Sequence, residues 1–133
     1  RPWQFILEPL SGYLLLALKM YEDRLKFSGA WNFGPSDRDI LTVEELAQKV
    51  ISYWGGGNYE IEQSLENFHE ASLLKLDCSK AYSLLKWHSI YNIEEAIEKT
   101  VEWYKKYYEG IRGKELCNFT ISQIIEYAQK GGY

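Results

Sequence analysis

Cysteine and histidine are scarce in this 133-residue chain, with two of each, and their placement excludes the usual metal and disulfide frameworks. Cys78 and Cys117 stand far apart without metal-ligand spacing, and His69 and His88 form no zinc motif. Free thiols in a reducing cytosol fit this pattern better than a zinc site or a bridge. Long apolar runs are missing as well. The longest, Leu14-Leu15-Leu16-Ala17-Leu18, falls far short of the roughly 20 residues that cross a bilayer. With no signal-peptide pattern either, a cytoplasmic protein with no membrane partner is expected. Nor is there a basic stripe. The net charge is −4 and Lys and Arg are scattered, whereas phosphate neutralisation dominates nucleic-acid affinity. A nucleic-acid partner is therefore not expected. P-loop, dinucleotide glycine motif and nucleophile elbow are all lacking, and no two carboxylates stand at a persuasive catalytic spacing. The residues alone assign no catalytic group, no cofactor-binding group and no metal ligand.

Aromatic residues are plentiful, with five Trp and eleven Tyr, which suits core and interface anchors and a few stacking platforms. The length is about one domain's worth and allows roughly two-thirds of the unfolded surface to be buried. A chain that opens on Arg1 is expected to belong to something longer or to have been processed. A fragment can leave core residues facing a missing partner.

Leu7, Leu10, Leu14, Ala17, Leu18 and Tyr21 recur at helical spacing and predict a helix over 7–25, Pro9 fitting its first turn. Residues 30–34, Ala-Trp-Asn-Phe-Gly, read as a short strand followed by a Gly34-Pro35-Ser36-Asp37 turn. Thr42 and Glu45 form a capping box for a helix to about Trp54, with Val43, Leu46, Ala47, Val50 and Ile51 inward. The run Gly55-Gly56-Gly57 follows that helix instead of preceding one, so it reads as a C-cap and not as a phosphate loop. Further extended pieces are expected at 59–63 and 73–77, then a short helix capped by Asp77 through Leu85. Asn92 and Glu95 cap a helix over 93–108 with Ile93, Ala96, Ile97, Val101, Tyr104 and Tyr108 inward. Thr120 and Gln123 suggest the start of a last helix, with 110–114 as linker. The sum is an α+β chain, mostly helical with a few short strands that the helices would pack around, Leu14, Leu18, Leu46, Val50, Ile97 and Val101 among the buried residues.

Three places resemble ligand contacts. Arg1 carries a guanidinium fork that suits a diphosphate, though a solvated terminal arginine has the same sequence. Asn32 alternates away from Trp31 and Phe33, as a ligand contact or an ordinary solvent-facing residue. His69 beside Glu70 lies in a polar loop, where imidazole can donate to a phosphate oxygen or simply face water.

These places coincide with a family pattern. Arg1-Pro2-Trp3-Gln4 with Leu7-Glu8-Pro9-Leu10-Ser11-Gly12-Tyr13-Leu14, then Trp31-Asn32-Phe33-Gly34-Pro35, then His69-Glu70-Ala71 and Leu74-Lys75-Leu76-Asp77-Cys78-Ser79-Lys80-Ala81, resemble the C-terminal portion of CDP-glucose 4,6-dehydratases. Trp87 and Ala96-Ile97-Glu98-Lys99-Thr100-Val101-Glu102-Trp103-Tyr104 complete the pattern over about residues 1–108. The resemblance implies an extended short-chain dehydrogenase/reductase in which an N-terminal Rossmann domain binds NAD and carries a Tyr-x-x-x-Lys pair. A smaller C-terminal domain, the whole of 1–133 here, closes over the nucleotide sugar. The implied reaction takes a hydride from sugar C4, loses water across C5 and C6, and returns the hydride to C6, giving a 4-keto-6-deoxy sugar nucleotide. Carried over by motif position, Arg1, Asn32 and His69, with Glu70 adjacent, match residues that hold the nucleotide and its diphosphate. The implied partners are CDP-glucose, the Rossmann domain of the same polypeptide and further copies in a homo-oligomer; the catalytic groups would lie outside this chain. Ser72-Leu73 departs from the usual pattern after His69-Glu70-Ala71. Another dehydratase, epimerase or reductase of the same class, and a stand-alone helical interaction module built on Trp103 and Tyr107, remain the alternatives.

Overall fold

In the computed structural model, residues 1–37, 39–61 and 75–132 are described. Five α-helices carry them: α1 Leu7–Glu22, α2 Arg24–Phe27, α3 Val43–Trp54, α4 Ile93–Tyr108 and α5 Gly113–Gly131, with a π-helical turn at Ala81–Leu85. No strand ladder occurs among the described residues; the one β contact there is an isolated antiparallel bridge between Pro2 and Ile40. The α+β expectation is corrected to a mostly helical chain. The expected strand at 30–34 shows strand-like alternation of burial at Trp31, Asn32 and Phe33 but pairs with no strand among the described residues, and a strand needs a neighbour to complete its hydrogen bonds. Of the pieces 59–63 and 73–77, residues 59–61 and 75–77 are in no strand, and the remainder lies outside the described residues.

Helices α3 and α4 begin where their caps say. Thr42 accepts the Glu45 amide while Glu45 accepts the Thr42 amide, and Asn92 and Glu95 repeat the exchange. At the far end of α3, Gly55 takes φ +90 and the amides of Gly55 and Gly56 both reach the Ile51 carbonyl, the helix stop that a glycine run permits. Helix α4 buries Ile93, Ile97 and Val101 against half-buried Leu46, Val50 and Tyr53 of α3 and against Trp3 and Leu41. Its outer end departs from the expected face: Tyr104 and Tyr108 are exposed, and so is Val43 on α3.

Helix α1 turns the opposite way from its expected orientation. Glu8 and Gly12 are its buried residues, while Leu14 and Leu18 are 73% and 55% exposed, along with Leu10 and Tyr21. A Cβ on Gly12 would lie 2.3 Å from the Phe33 ring, so the helix approaches Phe33 through its one position without a side chain. Leu15 and Leu16 then pack on the cluster of Phe27, Phe33, Ala81, Leu85 and Trp87. The helix ends at Glu22, and Asp23 caps the short α2 by accepting the Lys26 amide at 3.1 Å.

Helix α5 starts at Gly113, well before the expected Thr120. Thr120 sits mid-helix, its hydroxyl donating to the Leu116 carbonyl and accepting the Trp103 indole N–H at 2.9 Å. Gln123 donates to the Lys99 carbonyl. The apparent cap pair is therefore a clasp between α5 and α4. Tyr127, near the end of α5, joins Phe5, Tyr91 and Ala96 in a third cluster.

Candidate functional site

The opening segment lies along residues 33–41. The backbone nitrogen of Arg1 donates to the Leu41 carbonyl at 2.6 Å, the Trp3 indole N–H donates to the same oxygen at 3.1 Å, and Gln4 Nε2 reaches the Phe33 carbonyl at 3.1 Å. Arg1 is carried at the exposed end of this seam.

Asn32 is exposed between half-buried Trp31 and buried Phe33, so it faces away from its aromatic neighbours. Its Nδ2 donates to the Asp77 carbonyl at 3.1 Å, which commits one amide proton to holding the 75–79 segment. Lys80 secures the same segment from the other side. Its Nζ donates to the Ala30 carbonyl at 2.9 Å and stands 4.1 Å from the centre of the Trp31 ring. The other two sequence candidates, His69 and Glu70, lie outside the described residues.

Next to this seam is a cleft of about 780 Å³ between residues 34–37, 75–79 and 82–89. Lys75 and Asp37 pair across it at 3.0 Å. Hydrogen bonds from Ser79, side chain and amide, hold the Asp77 carboxyl below its ordinary value. Burial pushes the Cys78 thiol upward, which keeps it protonated and unreactive. The depressed Asp77 carboxyl and the neutral Cys78 thiol are groups that can orient and bind a molecule in the cleft. Among the described residues no group of three His, Cys, Asp or Glu side chains is arranged to hold a metal ion, and no helix is long and apolar enough to cross a membrane.

Sequence reasoning placed Glu8 inside a landmark but gave it no role. It is fully buried, accepting the amides of Ile90 and Tyr91 at 2.8–3.1 Å and the Tyr127 hydroxyl at 2.8 Å. Ser11, one turn on, accepts the Trp87 indole N–H at 3.0 Å and meets the Tyr127 hydroxyl at 3.1 Å. This network fixes the 87–92 segment, and hence one end of the cleft, onto α1 and α5. Its place in the first turn of a largely apolar helix is the only signal the sequence offers.

Comparison with known proteins places these features in context. No protein-family model matches the chain. It is 41% identical over 127 residues to the CDP-glucose 4,6-dehydratase of Salmonella typhimurium strain LT2, an alignment that takes in 96% of this chain and 34% of that protein. The chain thus spans about a third of the length of the relative it matches.

Proposed function

We propose that this chain is the C-terminal, substrate-binding part of a longer CDP-glucose 4,6-dehydratase. The observation that carries the reading is the 41% identity running through 96% of the chain. On this reading the full polypeptide converts CDP-glucose to CDP-4-keto-6-deoxyglucose, and the chain's own contribution is to hold the nucleotide. Arg1 would grip the diphosphate through its guanidinium fork, Asn32 and His69 would add hydrogen bonds, and Glu70 would flank them.

The chain's residues do not suit a dinucleotide cradle. Its glycine run closes the end of α3, whereas a pyrophosphate rests on glycines that open a helix. NAD, which supplies the hydride acceptor in this chemistry, is therefore assigned to the remainder of the polypeptide, together with the proton-transfer groups.

The test is conversion of CDP-glucose by the full polypeptide, followed by NMR of the product, with NAD assayed in the protein after denaturation. A 4-keto-6-deoxy sugar nucleotide and released NAD are the expected results. No product from CDP-glucose, with turnover of a different nucleotide sugar, would overturn the substrate assignment. Catalysis or NAD binding by residues 1–133 alone would overturn the division of labour.

A further inference from the structure

Asn32 is exposed, yet its carboxamide is not free to turn. Its Nδ2 donates to the Asp77 carbonyl at 3.1 Å. A carbonyl only accepts, so the nitrogen of the amide and not its oxygen must face Asp77. That carbonyl is itself held, because the Asp77 side chain accepts the Ser79 amide at 2.9 Å and turns the chain there. Lys80 returns the contact from the same turn. Its Nζ donates to the Ala30 carbonyl at 2.9 Å and lies 4.1 Å from the centre of the Trp31 ring. Asn32 and Lys80 are reciprocal crossties, each sending a side-chain N–H to a backbone carbonyl of the other's segment.

The ammonium of Lys80 is used in an uncommon way. It joins none of the ion pairs among the described residues. It is committed instead to one carbonyl and to one indole face, the aromatic surface that attracts a cation most strongly, and both belong to the two residues that precede Asn32. We propose that Lys80 is a positioning residue for Asn32. By locking residues 77–80 onto residues 30–32 it lets the Asp77 carbonyl hold one Nδ2 proton, which leaves Oδ1 and the second Nδ2 proton aimed outward in a single orientation. This rests on the reading in which Asn32 helps to hold the nucleotide. An amide already fixed in its binding direction loses less freedom when the ligand arrives, so Lys80 acts on affinity and not on the chemical step.

The test is steady-state kinetics of the full polypeptide with CDP-glucose, for Lys80→Met, Lys80→Arg, Asn32→Ala and the Asn32→Ala/Lys80→Met double variant, with thermal unfolding and NMR of the Asn32 side-chain amide alongside. Lys80→Met should raise KM by about three- to tenfold, the worth of one hydrogen bond, with a smaller change in kcat. Lys80→Arg keeps the cation and the donor and should restore most of the loss. In the Asn32→Ala background, Lys80→Met should add nothing further to KM. The Asn32 amide protons should exchange with solvent faster in Lys80→Met. Independent, additive increases in KM would overturn the proposal by giving Lys80 a contact of its own. An unchanged KM with a lowered unfolding midpoint would overturn it by leaving Lys80 a purely structural tie, and so would an Asn32→Ala variant with unchanged KM. The amide readout is separate from turnover. In a polypeptide that leaves CDP-glucose unconverted, faster exchange in Lys80→Met would remove the dehydratase reading and keep the positioning of Asn32, whereas unchanged exchange would overturn that positioning.

Discussion

The Glu8 carboxylate accepts the Tyr127 hydroxyl at 2.8 Å across 119 residues of sequence. It joins the first turns of α1 to the last turns of α5, and the same carboxylate also holds the amides of Ile90 and Tyr91. A fully buried carboxylate is tolerated only where its acceptor sites are filled, and here hydrogen bonds from three residues fill them. The cleft therefore stands on a polar joint as well as on apolar packing.

Removing either end of that joint should be costly. Tyr127→Phe should lower stability by about 1.5–3 kcal/mol, the range for hydrogen bonds to charged groups. Glu8→Ala should cost more, since it removes the acceptor of the Ile90 and Tyr91 amides as well as that of the Tyr127 hydroxyl. Urea unfolding of the two single variants and the double variant measures the coupling. Additive losses would show that the two groups do not act together.

Val101 is buried between α4 and α3. Val101→Asp places a carboxylate there without a partner and should destabilise by roughly 3 kcal/mol or more. Thermal unfolding is the check; an unchanged midpoint would contradict the α3–α4 core.

Glu95 ties two places together, accepting the Asn92 amide within the cap of α4 and an ion-paired hydrogen bond from Lys130 of α5. The Lys130 bond first, and the Asn92 amide after it, hold the carboxyl below its ordinary value of 4.5, against the opposing effect of burial. A carboxyl depressed in the folded state stabilises above its unfolded pKa, and that stabilisation disappears as pH falls through the folded one. Glu95→Gln should therefore flatten the loss of stability below about pH 4.5 and change the alkaline side little. Acid titrations followed by circular dichroism give the comparison; identical acid limbs would dismiss the contribution.

In the full polypeptide, Arg1→Ala should raise KM for CDP-glucose by about one to two factors of ten, from the worth of a charge-assisted hydrogen bond. The fall in kcat should be smaller, because a contact to the diphosphate is nearly uniform between ground and transition states. His69→Ala should have a weaker effect if the imidazole is neutral. Steady-state kinetics decide: a collapse of kcat at unchanged KM would move Arg1 into the chemistry.

Structure is legible in the sequence where the physics is local. Both capping boxes, at Thr42 with Glu45 and at Asn92 with Glu95, mark helix starts that the structure reproduces, since four consecutive residues make the whole interaction. The glycine stop at Gly55 follows for the same reason. Thr120 and Gln123 carry the same residue types but lie inside α5, because their partners, Trp103 and the Lys99 carbonyl, belong to another helix. Of the candidate site, sequence correctly placed Asn32 facing away from its aromatic neighbours, but not the Asp77 carbonyl that engages it 45 residues later.

What the sequence determined by itself is the set of helices: periodicity and caps within a few residues fix α3 and α4 and announce α1. What only the tertiary structure decided is which way α1 faces. Its leucines are spaced for burial, yet Gly12 lets the helix settle on Phe33 by the other side, and Glu8 is drawn inward by amides more than 80 residues away. The strand at 30–34 had the same fate. Side-chain alternation is written in the sequence, but a ladder is made with a neighbour, and no neighbour for it lies among the described residues of this chain.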